Sequence, residues 1–411
     1  MATNLINRPE YLNQLIGHRN TSPVKIVTGI RRCGKSSLLE LYHQYLLDDG
    51  VPPQNIIHMN LESLRYRELK DYGAFYEDVS KRIPDNAKTY LIFDELQVVE
   101  HWEKAIESFR LDFDVDIYIT GSNAYLFSTE FSTLLSGRYV EIRMLPLSFR
   151  EFLTFYQFDA SGSIESRFQR YLQFGGMPVL HEYQFNESRC HQVLEGIYST
   201  VILRDVLQRN KGADQTTLQK IMRYLCSTIG SITSPNNIGN VLTDEGNLEG
   251  GKARKTAGRT VERYVEMLRN AYIFYSVGRY DIKGRQQLKT LGKNYIIDLG
   301  FRNILLGYRD ADRGHILENI VFLELLRRDY RIYIGKFGDT EVDFIAEKPD
   351  KKVYIQVTES MAAKETRDRE LRPLQAINDN YEKTVLSMDR DFIQSYEGIR
   401  SINLIDWLLA E

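Results

Sequence analysis

Cysteine is scarce in this chain. Cys33, Cys190 and Cys226 are three in 411 residues, far apart and odd in number. That pattern disfavours a disulfide framework and makes a reducing cytoplasm the expected compartment. Long apolar runs are missing too. No stretch approaches the roughly 18 residues a spanning helix needs, and mean hydropathy is −0.37, which excludes a helical membrane protein. The opening MATNLINRPEYLNQL has no basic segment followed by an apolar one, so no secretory signal is expected. The seven histidines (His18, His43, His58, His101, His181, His191 and His315) show no metal-ligand spacing with each other or with cysteine, which disfavours a zinc site. Excess charge of one sign is also absent. The 53 Lys and Arg balance 56 Asp and Glu to a net −3. Internal repeats and low-complexity tracts are not found.

What is present is an ordinary globular composition, with 43% hydrophobic and 11% aromatic residues. The length predicts two or three domains. Over the first 145 residues short apolar runs alternate with helical patterns. The runs are VKIVT (24–28), NIIHMN (55–60), TYLIFDE (89–95), VDIYIT (115–120) and YVEIRM (139–144). Such alternation predicts an α/β fold with a parallel sheet covered on both faces. Residues 148–213 read as a helical subdomain broken by Gly175-Gly176-Met177-Pro178. Residues 214–313 read as three helices and then two strands split at Lys283-Gly284-Arg285, the order of a winged helix. The segment 314–411 reads as a helix, three strands, a helix and a strand. A hairpin turn falls at Pro349-Asp350-Lys351.

Two short motifs carry chemistry. Gly29-Ile30-Arg31-Arg32-Cys33-Gly34-Lys35-Ser36 fits G-x4-G-K-[ST] between a predicted strand and a predicted helix, the context that motif requires. Glycines let such a loop curl so that backbone N–H groups point at phosphate oxygens, and the helix N-terminus adds its positive end. Gly29, Arg32, Cys33, Gly34, Lys35, Ser36 and Ser37 are therefore the expected nucleotide contacts. Lys35 is expected on the β- and γ-phosphates and the Ser36 hydroxyl on Mg²⁺. The strand Leu91-Ile92-Phe93 delivers Asp94 and Glu95 at its C-terminal end, where open α/β sheets bind ligands. Asp94 is expected to hold Mg²⁺ through water and Glu95 to act as the base for the attacking water. Asn123, in Thr120-Gly121-Ser122-Asn123, could position that water or simply belong to a turn. Arg138, before the fifth strand, could serve a neighbouring subunit as an arginine finger, or be a cation at a helix end.

Taken in order, ITGIRRCGKSSLL, LIFDELQVVEHWEKAI, ITGSNAYLF, LLSGRYVEIRMLPLSFREFL, FGGMP and LRDVL resemble a large family of prokaryotic AAA-type ATPases that carry a C-terminal domain of unknown function. The resemblance covers nearly the whole chain. It implies nucleotide roles for Gly29, Gly34, Lys35, Ser36, Asp94 and Glu95, a sensor at Ser122 or Asn123, and a finger at Arg138. The implied architecture is an AAA-like core over 1–147 with a helical lid over 148–213.

Between Lys252 and Lys293 stand 11 basic and three acidic residues, a local +8 within a chain of net −3. Such asymmetry suits nucleic acid, and equally a solvated face or a domain docked on its own core. Arg259 and Arg263 at the front of the third helix, with Lys283 and Arg285 at the wing tip, are the candidate DNA contacts. The tail resembles the restriction-endonuclease-like PD-(D/E)xK fold. Its matching positions are Glu318, Asp343 and Gln356-Val357-Thr358. Gln356 replaces a charged metal ligand, and Thr358 stands where the activating lysine is expected. A degenerate module is therefore expected, unless Lys352 or Lys364 has taken over the lysine's role.

Two functional readings follow. One is an ATPase that uses Mg-ATP to act on DNA or a DNA-associated partner, with a homo-oligomer as one arrangement. The other is a nucleotide-gated regulator or scaffold with incidental turnover. An active nuclease is a third reading, opposed by Gln356 and Thr358.

Overall fold

The computed structural model describes residues 5–410 except 86, 123, 125–136, 157–161, 185, 249–256, 310–311 and 391–393. They fall into two compact units. One is Met1–Pro146 with Asn270–Tyr272, the other Leu147–Arg269 with Ile273–Glu411.

The five apolar runs of the first unit become strands: β1 (Val24–Thr28), β2 (Ile56–Asn60), β3 (Thr89–Asp94), β4 (Val115–Gly121) and β5 (Tyr139–Arg143). They pair in the order β2-β3-β4-β1-β5, and every pair is parallel. Helices α1 (Pro9–Gly17), α2 (Lys35–Asp48), α3 (Tyr72–Ser80) and α4 (Trp102–Asp112) accompany them. Alternate strand residues make one apolar layer: Ile26, Met59, Leu91, Phe93, Ile117 and Ile119 pack with Phe75 of α3 and Ile106 and Phe109 of α4. Period-two alternation sends the intervening residues to the opposite face. There Tyr118 meets Tyr42 of α2, with the hydroxyls 2.5 Å apart. A sheet buried on both faces explains why β1 and β3 are apolar almost throughout.

The second unit begins with helices α5 (Phe149–Phe155), α6 (Ile164–Phe174) and α7 (Glu187–Thr200), and a π-helical turn over Val201–Leu207. α8 (Gln215–Ser227), α9 (Pro235–Leu248) and α10 (Gly258–Asn270) follow. The break at Gly175-Gly176 is a close approach. Gly175 has φ +78°, and a Cβ there would stand 2.1 Å from Asp298 Oδ1. Asp298 accepts the Gly176 N–H at 2.7 Å and the Gly300 N–H at 2.8 Å, capping α11 (Leu299–Leu306).

The remaining strands are β6 (Ile232–Thr233), β7 (Phe274–Asp281), β8 (Gln286–Ile296), β9 (Arg331–Phe337), β10 (Thr340–Lys348), β11 (Lys351–Val357), β12 (Glu382–Ser387), β13 (Ser395–Tyr396) and β14 (Ile399–Asn403). They form one nine-stranded sheet in the order β13-β14-β12-β11-β10-β9-β7-β8-β6. The β7–β8 hairpin expected as a wing therefore continues the sheet of the tail, because β7 pairs in parallel with β9. The boundary drawn at 313/314 does not divide this sheet. α12 (Arg313–Arg327) is also stitched to β8: the Asn319 amide accepts the Ile296 N–H and donates to its carbonyl, at 2.8 and 2.9 Å. α13 (Lys364–Ala376) packs on the tail's core around Val342, Tyr354 and Leu374, and α14 (Leu404–Leu409) ends the fold.

Candidate functional site

The Gly29–Ser36 loop leaves the C-terminal end of β1 and enters α2. Gly29 has φ +145°, and a Cβ there would meet the Met144 carbonyl oxygen at 2.1 Å. Only a glycine lets the loop pass so close to the chain leaving β5. Gly34 occupies the position before α2 at φ +106°. The Lys35 ammonium is buried and donates to the carbonyls of Gly29 and Ile30 at 2.9 and 3.1 Å, so the loop is closed around it. Cys33 is fully buried, and burial pushes its thiol pKa up, which makes it a packing residue. Arg32, Ser36 and Ser37 are exposed.

Asp94 and Glu95 are placed by their neighbours on the sheet. Parallel register sets Asn60 beside Asp94, and Asn60 Nδ2 donates to Asp94 Oδ2 at 2.8 Å. Thr120 of β4 donates to Asp94 Oδ1 at 2.5 Å and accepts the Glu95 N–H at 2.9 Å. One hydroxyl thus holds both acids. Burial raises the Asp94 pKa, opposed by the hydrogen bonds from Thr120 and Ser36. Glu95 sits at φ +54°, a left-handed conformation that costs a non-glycine residue about 1 kcal/mol or more. Its Oε2 accepts Gln97 Nε2 and, at 3.3 Å, Ser122 Oγ.

Asn60, Gln97, Thr120 and Arg8 were not singled out from the sequence. The first and third have a legible signal, as polar residues ending strands that flank Asp94. Arg8 has none. The residue is 3% exposed, and its guanidinium donates to the carbonyls of Cys33 at 3.0 Å and Leu145 at 2.9 Å. It pins the back of the loop to the exit of β5. Asn123 lies outside the described residues. Arg138 is at the surface, paired with Glu107 at 2.5 Å.

In the second unit Arg259 and Arg263 are exposed on α10, and Lys283 and Arg285 are exposed at the β7–β8 turn. Lys293 departs from its expected place on the basic face. Its side chain is 4% exposed and lies among carboxylates: Glu318 at 2.8 Å, Glu341 at 2.8 Å and Asp343 at 3.5 Å. Burial works against its charge, but the three acids outweigh it and raise the pKa. The tail positions Glu318, Asp343 and Gln356 are indeed brought together. The Asp343 N–H donates to Gln356 Oε1 at 3.3 Å, and Gln356 Nε2 donates to Glu370 at 2.9 Å. Tyr295 donates to Glu318 at 2.6 Å. A cavity of about 760 Å³ opens on Glu318, Glu341, Asp343 and Gln356. The lysine of this cluster is neither Lys352, which pairs with Glu347, nor Lys364, which opens α13. It comes from β8, outside the motif, so no spacing along the tail could reveal it.

Comparison with known proteins agrees with this geometry. Residues 21–153, which include the parallel sheet and its Gly29–Ser36 loop, match the model of an AAA domain. Residues 165–312 match a domain of unknown function, which ends before the segment 314–411 and crosses the boundary drawn at 213/214. An uncharacterized protein of Haemophilus influenzae is 38% identical over the full length of both chains, and this chain belongs to its family. An uncharacterized protein of Methanocaldococcus jannaschii is 27% identical, over 93% of this chain and 85% of its own. Among solved structures, a Walker-type ATPase of Pyrococcus abyssi superposes with a TM-score of 0.51 at 16% identity, over 73% of this chain and 95% of its own. That likeness speaks for the fold. Among the described residues no helix is long and apolar enough to cross a membrane.

Proposed function

We propose that the chain is a Mg-ATP-dependent ATPase that couples hydrolysis to action on DNA or a DNA-associated partner in the cytoplasm. One observation carries this reading: a Gly29–Ser36 loop with Lys35 at its centre stands at the end of β1, beside the strand that ends in Asp94 and Glu95. The cradle suits phosphate, since the passage at Gly29 tolerates no side chain and α2 begins at Lys35. Ser36 and Asp94 offer the hard oxygen ligands that Mg²⁺ takes. When bound, the ion would neutralise phosphate charge.

The protein's own part is positioning. Loop N–H groups from Arg32 to Ser37 would hold the phosphates. Lys35 would exchange its two carbonyl partners for phosphate oxygens. Glu95, oriented by Ser122 and Gln97, would take the proton of the attacking water. Asn123 would line that water, and Arg138 of a neighbouring copy would leave Glu107 to stabilise the transferring charge. In this reading residues 1–147 are the core and 148–213 a lid, and the helices α8–α10 lead into a degenerate nuclease-like module whose sheet takes in β6–β8. Arg259, Arg263, Lys283 and Arg285 would contact phosphates of DNA.

The regulator reading draws support from the Lys35 contacts, because nucleotide must displace two loop carbonyls and so could switch the loop without turnover. ATP turnover with and without single- and double-stranded DNA, across salt concentrations, separates the two. Stimulation that fades as salt rises is expected, and is lost when the four basic residues are changed to Glu. Turnover indifferent to DNA at low salt would favour the regulator.

A further inference from the structure

We propose that the acid pocket of the second unit carries its own cation: the Lys293 ammonium fills the place between Glu318, Glu341 and Asp343 where a carboxylate site holds a divalent ion, and the wild-type pocket takes no divalent metal. An ammonium is a compact point charge with three donors. Here each of three carboxylates lies within 3.5 Å of it. These acids come from α12 and β10 and the lysine from β8, so the contacts tie three elements together beside the cavity. Buried carboxylates need a paired charge, and Lys293 supplies it from within the chain.

A divalent ion would have to reach the same oxygens at about 2.0–2.6 Å. It would meet a fixed positive charge there and break charge-assisted hydrogen bonds, the strong kind. The chemical consequence is definite. A metal-bound water ionises near neutrality because the ion lowers its pKa, whereas an ammonium offers no bound water of that kind. The pocket can still admit a ligand, but lacks the means to make hydroxide for phosphodiester attack. This holds whatever the first unit does with nucleotide.

The test is Mn²⁺ binding to the nucleotide-free, full-length chain, followed by calorimetry and by the electron paramagnetic signal of free Mn²⁺. Lys293→Met is expected to gain one Mn²⁺ site with a Kd on the order of 1 mM or tighter, weakened at least about tenfold when Asp343→Asn is added. The wild type is expected to show no Mn²⁺ site that responds to Asp343→Asn. Should Lys293→Met fold only when Mn²⁺ is present, that recovery is the same gain of site. Should it not fold at all, Lys293→Gln replaces it, and if neither folds the wild-type measurement decides alone. An Asp343-dependent Mn²⁺ site in the wild type overturns the proposal. So does a folded Lys293 variant with no gained site.

Discussion

If Lys35 binds phosphate and Glu95 activates water as proposed, their substitutions should separate binding from turnover. The buried Lys35 ammonium donates to the loop carbonyls of Gly29 and Ile30. Lys35→Ala should lose most ATP affinity, by about tenfold or more. Glu95→Gln keeps the volume and should bind ATP normally while losing at least about a hundredfold in turnover. Calorimetry and a phosphate-release assay read the two effects, and unchanged ATP affinity in Lys35→Ala would contradict the site. Thr120 is the less obvious residue. It donates to Asp94 and accepts from the Glu95 N–H, so Thr120→Val leaves a buried carboxylate oxygen and a buried N–H without this partner. Each such loss costs about 1–3 kcal/mol. Turnover should fall more than ATP affinity, because Glu95 loses its position while Lys35 keeps its own. Equal losses in both would place the effect on the fold as a whole.

At the scale of elements, contacts far apart in sequence hold the functional loops. Arg8 precedes α1 and donates to Cys33 and Leu145, joining the phosphate loop to the end of β5. Arg8→Ala should lower the melting temperature by several degrees and weaken ATP binding, while Arg8→Lys recovers little because one ammonium cannot reproduce the guanidinium fork. Thermal melts with and without ATP check this, and an ATP-induced shift that survives in Arg8→Ala would remove Arg8 from loop positioning. Asp298 joins the Gly175-Gly176 break to α11. Burial pushes its pKa up to about 7, against the pull of three backbone N–H donors. An unfolded aspartate titrates near 3.9, so between about pH 4 and pH 7 the folded state holds the extra proton. Stability is then greatest below that window, falls as pH rises through it and levels off above. Melting curves from pH 5 to 8 should show this fall, and Asp298→Asn should flatten it. Asp343, also raised to about 7 by burial and the charge of Glu318, contributes in the same direction, so the flattening is partial.

At the scale of the whole molecule the prediction concerns assembly. Arg138 pairs with Glu107 at the surface, and a surface pair of this kind is worth little by itself. If Arg138 serves a neighbouring copy, specific activity should rise with protein concentration, and Arg138→Ala should bind ATP yet hydrolyse it about 10³-fold more slowly. Concentration-independent turnover by a monomer would leave Arg138 as a surface cation. Much of the architecture was legible because it is written locally. The five strands of the first unit lie within one or two residues of their apolar runs, since a strand buried on both faces must be apolar along its length. In the tail the order helix, three strands, helix and strand was legible, but β13, β14 and α14 beyond it were not. The hairpin at 274–296 was legible as a hairpin, but its allegiance was not. Its edge could have stayed solvated as a wing, and the pairing of Arg279 to Asp281 with β9 is a choice between sheets that no local pattern encodes.

The phosphate loop and the acids at the end of β3 can be read directly from the amino-acid order. A turn that needs glycine at Gly29 and a strand that must end in carboxylates constrain consecutive residues, and consecutive residues can be read. The company those acids keep comes from strand pairing, which brings Thr120 and Asn60 to them, and a chain crossing brings Arg8 to the loop carbonyl of Cys33. The same holds for Lys293. In the sequence it is one more positive charge in a basic run. In the fold it faces Glu318, Glu341 and Asp343, because β8 runs in the same sheet as β10 and packs under α12. A charge acts over a few ångströms of space, not over residues of chain, so the partners of Lys293 follow from what surrounds it and not from its neighbours in the chain.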